Sequence, residues 1–270
     1  MVDAGNSPAH ASLLLDGLAS MGQSRPAFVA LTHWHWDHVF GISGSGIPII
    51  AQRETAKMLR QMAGLDWSDE ALDQRVEEGT EIPFIRDMLK AEWPERAHLR
   101  LRPPEISFTD QLELDLGGVR CEIKHVGGDH SADSSVVYIP GDGVLFLGDC
   151  LYDDLHHGPA RYTRRNLFPL IDQLLSYHAD TYLFGHEPVL MSGVQMAEYA
   201  AQLKAIGEAV EKAGDDRGRI LDAVRSIPGA IAEDERLEII DAFLAGLRDQ
   251  SSAAPKSVII GRNGGSPGKN

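Results

Sequence analysis

The most constraining feature of this 270-residue chain is the run Thr32-His33-Trp34-His35-Trp36-Asp37-His38, which sets three of its 11 histidines beside an aspartate. The run begins where an apolar segment, residues 27–31 (AFVAL), ends. His33 and His35 therefore leave a strand with the same side-chain parity, and Asp37 and His38 follow on the turn. Three further donors sit at comparable places. His130 (GGDHS) precedes residues 135–139 (SVVYI), Asp149 (FLGDC) follows residues 144–147 (VLFL), and His186 (FGHE) leaves residues 181–184 (TYLF). Gly141-Asp142-Gly143 closes the middle pair of strands into a hairpin, so its open ends bring His130 and Asp149 side by side. An isolated histidine near a strand end is ordinarily a surface or core residue, and a short His-rich tract can bind metal adventitiously. Neither reading explains why GDHS, LGDC and FGHE each fall at a strand terminus.

Other strand signals lie at 47–51, 112–116 and 119–123, the last two joined by Gly117-Gly118 as a second hairpin. Residues 54–93 read as helix in pieces. Met58, Leu59 and Met62, then Ile85, Met88 and Leu89, recur at helical spacing, interrupted by Gly64, Gly79 and Pro83. They suggest a helical insertion over about 54–95 in a main domain of residues 1–190. Beyond Pro188 the pattern is helix only, with one stripe of Met196, Tyr199, Leu203, Ile206 and Val210 and another of Leu237, Ile240, Leu244 and Leu247. Residues 191–250 are thus expected to form a C-terminal helical extension, and residues 251–270 a mobile tail.

Composition narrows the function classes. With 43% hydrophobic and 24% charged residues the chain has the make-up of a soluble globular protein. Against 40 acidic side chains there are 25 basic ones, a formal charge of −15. That surface repels phosphate backbones and anionic lipid, and no basic run offsets it, so a small-molecule substrate is expected rather than a nucleic-acid or membrane partner. No apolar run approaches the roughly 20 residues that span a bilayer. Cys121 and Cys150, without a basic-then-apolar leader, read as reduced thiols of a cytoplasmic protein.

Five imidazoles and two carboxylates form a donor set suited to zinc and comparable divalent ions. A single tetrahedral zinc takes four ligands. Seven donors can serve two ions, with one carboxylate bridging and a position left for water.

With THWHWDH, GGDHS, FLGDC and FGHE in that order, the sequence resembles the metallo-β-lactamase fold superfamily of hydrolases, whose mark is HxHxDH followed by a lone His, an Asp and a final His. The resemblance spans residues 1 to about 190. It implies an α/β fold, a four-layer αββα sandwich with metals at one edge of the paired sheets. It also implies a metal-dependent hydrolase with two divalent ions, zinc foremost and iron or manganese as alternatives. Carried over by position, His33, His35 and His130 would hold the first ion, Asp37, His38 and His186 the second, and Asp149 would bridge. The N-terminal VDAG resembles the family's DTG turn, so Asp3 would orient ligands from behind; the plainer reading makes it a cap of the following helix.

His35 stands where the related diiron flavoproteins have Glu, and His38 where the best-known zinc β-lactamases have Arg. Both favour the dinuclear hydrolase branch of glyoxalase II, lactonases and RNase Z. GDHSADS in place of GHTxGH argues against a glutathione thioester, and the −15 charge against tRNA. In the family, DTG follows one or more strands, yet Asp3 lies two residues from Met1. Either upstream sequence supplies those strands, or another subunit covers the sheet edge, as in a homodimer.

The chemistry so implied is attack by a hydroxide held between the ions on an ester, thioester, lactone, β-lactam or phosphodiester-type bond, with Asp37 orienting it and Asp149 keeping the ions together. Tyr152, His156, His157, Arg161, Tyr162, Arg164 and Arg165 crowd the loop after Asp149, where an arginine or tyrosine could clamp a carboxylate or phosphate; the blander reading is a solvated loop and helix start. Residues 54–93, with Trp67 and Trp93, could form a lid or merely cover the sheet. Cys150 reads as a packed thiol. Two competing functions are a mononuclear iron persulfide dioxygenase, which keeps HxHxDH, and an inactive metal-binding member, which the filled ligand set disfavours.

Overall fold

The computed structural model describes residues 1–251 apart from 157, 226, 228 and 230. The tail expected to be mobile, from 252 onward, and His157 therefore lie outside the described residues.

Two sheets form the centre. The smaller takes β1 (Val29–Ala30), β2 (Ile49–Gln52) and β3 (Ile106–Phe108), all parallel in that order. The larger runs β4 (Gln111–Asp115), β5 (Arg120–His125), β6 (Ser135–Ile139), β7 (Val144–Gly148), β8 (Thr181–Phe184) and β9 (Met191–Ser192). Its β4–β5 and β6–β7 pairs are the two glycine-closed hairpins expected, and β8 joins β7 in parallel after a crossover through α6 (Arg164–Leu175).

Side-chain alternation places each sheet between two apolar layers. Ala30, Ile50 and Phe108 of the small sheet meet Cys121, Ile123 and Val137 of the large one between the sheets. On the outer face of the small sheet, Val29, Ile49 and Ala51 pack against Leu59 and Met62 of α3 (Arg53–Met62), Leu72 of α4 (Asp69–Glu77) and Leu89 of α5 (Pro83–Glu92), with Leu15 of α1 (Pro8–Ser20) alongside. Beyond the large sheet, Val136, Leu145 and Tyr182 pack against Leu167 and Leu174 of α6 and Leu203 and Ile206 of α7 (Gly193–Ala213), with α8 (Arg217–Arg225) and α9 (Glu233–Ser251) adding Ile220, Ile240 and Phe243. The result is an αββα sandwich.

Several expectations are corrected. The chain after Pro188 is not helix only, because it first folds back as β9 to pair antiparallel with β8 before Ser192 caps α7 through a reciprocal capping box. Of the two readings of residues 54–93, Trp67 and Trp93 follow the sheet cover: their rings pack edge-on to Phe40, 4.9 and 6.2 Å away, in the small-sheet core. Of the expected α9 stripe, Ile240 and Leu244 are buried and Leu247 packs beside them, while Leu237 is only partly buried and Ile239 and Phe243 complete the inward face. Pro83 starts α5 rather than breaking a helix, since its missing N–H costs nothing in the first turn. Cys121 and Cys150 are buried free thiols, Cys150 in the core as expected.

Candidate metal centre

The strand exits converge at one rim. His33 and His35 follow β1, and a four-residue helix α2 (Trp36–Val39) then turns Asp37 and His38 inward. His130 precedes β6, Asp149 follows β7, and His186 follows β8. All seven residues singled out in the sequence meet there. Three groups could each hold an ion, their donor atoms lying within 4.8 Å of one another: His33, His35 and His130; His33, His38 and Asp149; and Asp37, His38 and His186.

Asp149 Oδ2 lies at the middle, 3.0 Å from His186 Nε2, 3.2 Å from His38 Nε2, 3.4 Å from His130 Nε2 and 3.9 Å from His33 Nε2. Asp37 Oδ2 stands 3.2 Å from His186 Nε2 and 3.6 Å from His38 Nε2. Asp149 thus touches histidines of both halves, and Asp37 those of one.

Hydrogen bonds from behind fix which ring nitrogen faces the centre. The Asp3 carboxylate accepts from Thr32 N at 2.7 Å, Thr32 Oγ1 at 2.8 Å and His38 Nδ1 at 2.8 Å. Thr32 Oγ1, having donated its proton to Asp3, accepts from His33 Nδ1 at 3.0 Å. His130 Nδ1 donates to the carbonyl of Asp153 at 3.0 Å. In all three rings Nε2 is turned to the cluster, the arrangement that presents a lone pair to a cation. Asp3 takes a left-handed backbone, φ +54°, which only a few per cent of non-glycine residues adopt. It does not cap α1; Ser7 does, accepting from His10 N at 3.2 Å.

Electrostatics divide the cluster. Burial pushes His33 and His35 well below the usual histidine range, with neighbouring histidines adding to the effect, and lowers His130. Burial would lower His38 too, but the carboxylates of Asp3 and Asp149 raise it well above that range. Hydrogen bonds to Asp149 and Asp37 push His186 up to about 10. Burial works to raise Asp149, yet its bonds to His186 and His38 hold it far below the carboxylate range; Asp37 is lowered by the same partners against the same burial.

The donor set fits divalent ions. His33 Nε2, His130 Nε2 and Asp149 Oδ1 are buried in the cluster without a hydrogen-bond partner. Each such orphan costs about 1–3 kcal/mol in a dry interior, a cost that a coordinated cation removes.

In front of the cluster opens a cleft of about 530 Å³ whose walls include Trp36, Phe84, Met88, Tyr152, Leu155 and His156. Met88 and Phe84 belong to α5, so the helices between β2 and β3 border the site. Tyr152 and His156 of the loop after Asp149 also reach it. Arg161, Tyr162, Arg164 and Arg165 do not, so for these four the plainer of the two readings holds. Arg161 is held by Asp154 and Asp249, Tyr162 is buried against Phe243 with its hydroxyl donating to the Leu151 carbonyl at 3.0 Å, Arg164 pairs with Glu211, and Arg164 and Arg165 border a separate pocket. Two supports escaped the sequence reading. Thr32 carries no signal beyond opening the motif, and Asp133, fully buried, accepts from Thr55 Oγ1 of α3 at 2.7 Å, tying the His130 loop to the helices between β2 and β3. No spacing rule points to either.

A family description, the metallo-β-lactamase superfamily, matches residues 1–186. The chain belongs to this superfamily. A type 2 metallo-β-lactamase from Bacteroides fragilis is 39% identical over 51 residues, 19% of this chain and 20% of that protein, so the likeness spans only a fifth of the relative's length. Among solved structures, a metallo-β-lactamase family protein from Thermus thermophilus is 21% identical with a TM-score of 0.55, covering 93% of this chain and 84% of its own. An archaeal superfamily protein from Sulfolobus tokodaii is 19% identical with a TM-score of 0.51, covering 92% and 88%. At such identities the structures show the shared fold.

Proposed function

We propose that the chain is a metal-dependent hydrolase in which His33, His35 and His130 hold one divalent ion, Asp37, His38 and His186 a second, and Asp149 both, with zinc as the leading metal. The observation that carries this reading is the set of buried donor atoms lacking partners, brought from three strand ends into neighbouring donor groups that share His33 and His38. Superfamily membership supports the reaction class. Divalent ions there would supply a Lewis acid and lower the pKa of bound water to about 7.

The chain's own groups prepare the site in three ways. The depressed basicity of His33, His35 and His130 keeps them neutral and ready to ligate at neutral pH. Asp3, through Thr32 and directly, fixes the rings of His33 and His38 so that little reorientation remains on loading. Asp149, ionised and 3% exposed, supplies negative charge shared by both halves. Trp36, Tyr152 and α5 wall the cleft against bulk water.

The test is a panel of chromogenic esters, lactones, thioesters, β-lactams and phosphodiesters assayed with metal content measured on the same preparation. Turnover that rises with bound zinc and disappears in His33→Ala together with the metal supports the reading. Oxygen consumption with one iron per chain would replace it with the persulfide dioxygenase.

A further inference from the structure

The cleft walls carry a charge pattern that the ligand set does not explain. Helix α5 turns Phe84, Ile85, Met88 and Glu92 toward the cleft, while its cations face away. Lys90 Nζ pairs with Asp73 of α4 at 2.8 Å, and Arg86 bonds Asp87 at 2.7 Å with its other end 3.7 Å from Asp73. Leu155 and Asp153, from the loop after Asp149, line the same cleft. Phe84 and Leu155 remain 57% and 41% exposed, so apolar surface is left open in the lining. Among the described residues that line this cleft there is no lysine or arginine. A second pocket beyond Tyr152 repeats the pattern, with Glu187, Glu198 and Glu235 set against Phe184 and Tyr199, again without a basic side chain.

A flanking carboxylate or phosphate on a substrate would lose water there and meet Glu92 and Asp153 with no lysine or arginine to replace it. The charge of −15 opposes its approach from a distance as well. Positive charge from bound ions would be confined to the reacting atoms, so the selection falls on groups beside the scissile bond.

Resting on the hydrolase reading above, we propose that this site takes substrates whose flank is uncharged and apolar, neutral esters, thioesters or lactones with an aliphatic or aromatic chain. It selects against β-lactams with their ring carboxylate and nucleic-acid phosphodiesters with their flanking phosphates. The chain seats between Phe84, Met88 and Leu155.

Two measurements test this. The metal-free protein is titrated with butanamide, hexanamide and octanamide, then with suberic acid monoamide, which ends in a carboxylate, and tryptophan emission is followed. Affinity should rise about two- to fourfold per methylene, and the terminal carboxylate should cost about tenfold or more. Equal or tighter binding of the carboxylate would overturn the proposal. The zinc-loaded protein is then assayed on para-nitrophenyl octanoate and on the para-nitrophenyl half-ester of suberic acid. The neutral ester should lead in kcat/KM by about tenfold or more, and Glu92→Lys should narrow the gap; a leading half-ester overturns the proposal. A zinc-loaded chain that turns over neither ester but does turn over a β-lactam or a phosphodiester overturns the flank proposal and leaves the hydrolase reading standing; one that turns over nothing in the chromogenic panel defeats the hydrolase reading, and the amide titration then decides the flank preference by itself.

Discussion

Asp3 Oδ2 lies 2.8 Å from His38 Nδ1 and 2.8 Å from Thr32 Oγ1, and Thr32 Oγ1 in turn bonds His33 Nδ1, so one carboxylate near the start of the chain orients two imidazoles of the cluster. Replacing it with Asn removes the charge and at least one acceptor. Asp3→Asn should weaken zinc affinity about 10- to 100-fold while the circular dichroism spectrum stays native. Competition against a chromophoric chelator measures the change, and unaltered affinity would assign Asp3 to backbone geometry alone.

Gly185 has no room for a side chain. A Cβ there would stand 2.0 Å from Asp149 Oδ1 and 3.2 Å from His38 Cε1. Gly185→Ala should therefore displace Asp149 and lower bound metal and turnover together by about 100-fold or more, with a far smaller change in thermal midpoint. Normal metal content in this variant would show that Asp149 is not where the ions sit.

The pH response of the metal-free protein follows from His186 and His38. Their basicities are raised above the ordinary 6.5, His186 to about 10, so the stability they contribute is complete below 6.5 and fades as pH climbs toward 10. His33 and His35, lowered by burial, act oppositely: they must charge against desolvation as pH falls below 6.5, which destabilises the fold in acid. Thermal midpoints of chelator-treated protein should peak near neutrality and decline toward pH 9. Loading must displace the protons on His186 and His38, so calorimetry in buffers of different ionisation enthalpy should record proton release at pH 7.5.

Arg96 holds the inserted helices together. Its buried guanidinium donates to the carbonyls of Trp67 at 3.0 Å, Leu89 at 2.9 Å and Trp93 at 2.5 Å, and it pairs with Asp69. Arg96→Met should cost about 2–4 kcal/mol in urea unfolding, because those carbonyls lose their donor.

The site was more legible in the sequence than the fold's edges were. Strand parity placed His33 with His35, and the turn at Gly141–Gly143 placed His130 beside Asp149, because both are local rules acting over a few residues. β3 and β9 were missed: three and two residues long, they carry no periodicity, and β3 is held by parallel pairing to β2 across about fifty residues of inserted helix. The direction of the arginines after Asp149, clamp or solvated loop, stayed open for a related reason. Whether Arg161 faces the cleft or Asp249 depends on where α9 packs, and nothing within the loop records that.

The central claim is two ions per chain gathered by seven named side chains. The most direct measurement is elemental analysis of zinc-saturated, desalted protein, for the native chain beside Asp149→Asn. The account expects close to two zinc ions per native chain and a marked loss in the variant. A native chain retaining one ion or none, or a variant that keeps both, would contradict it.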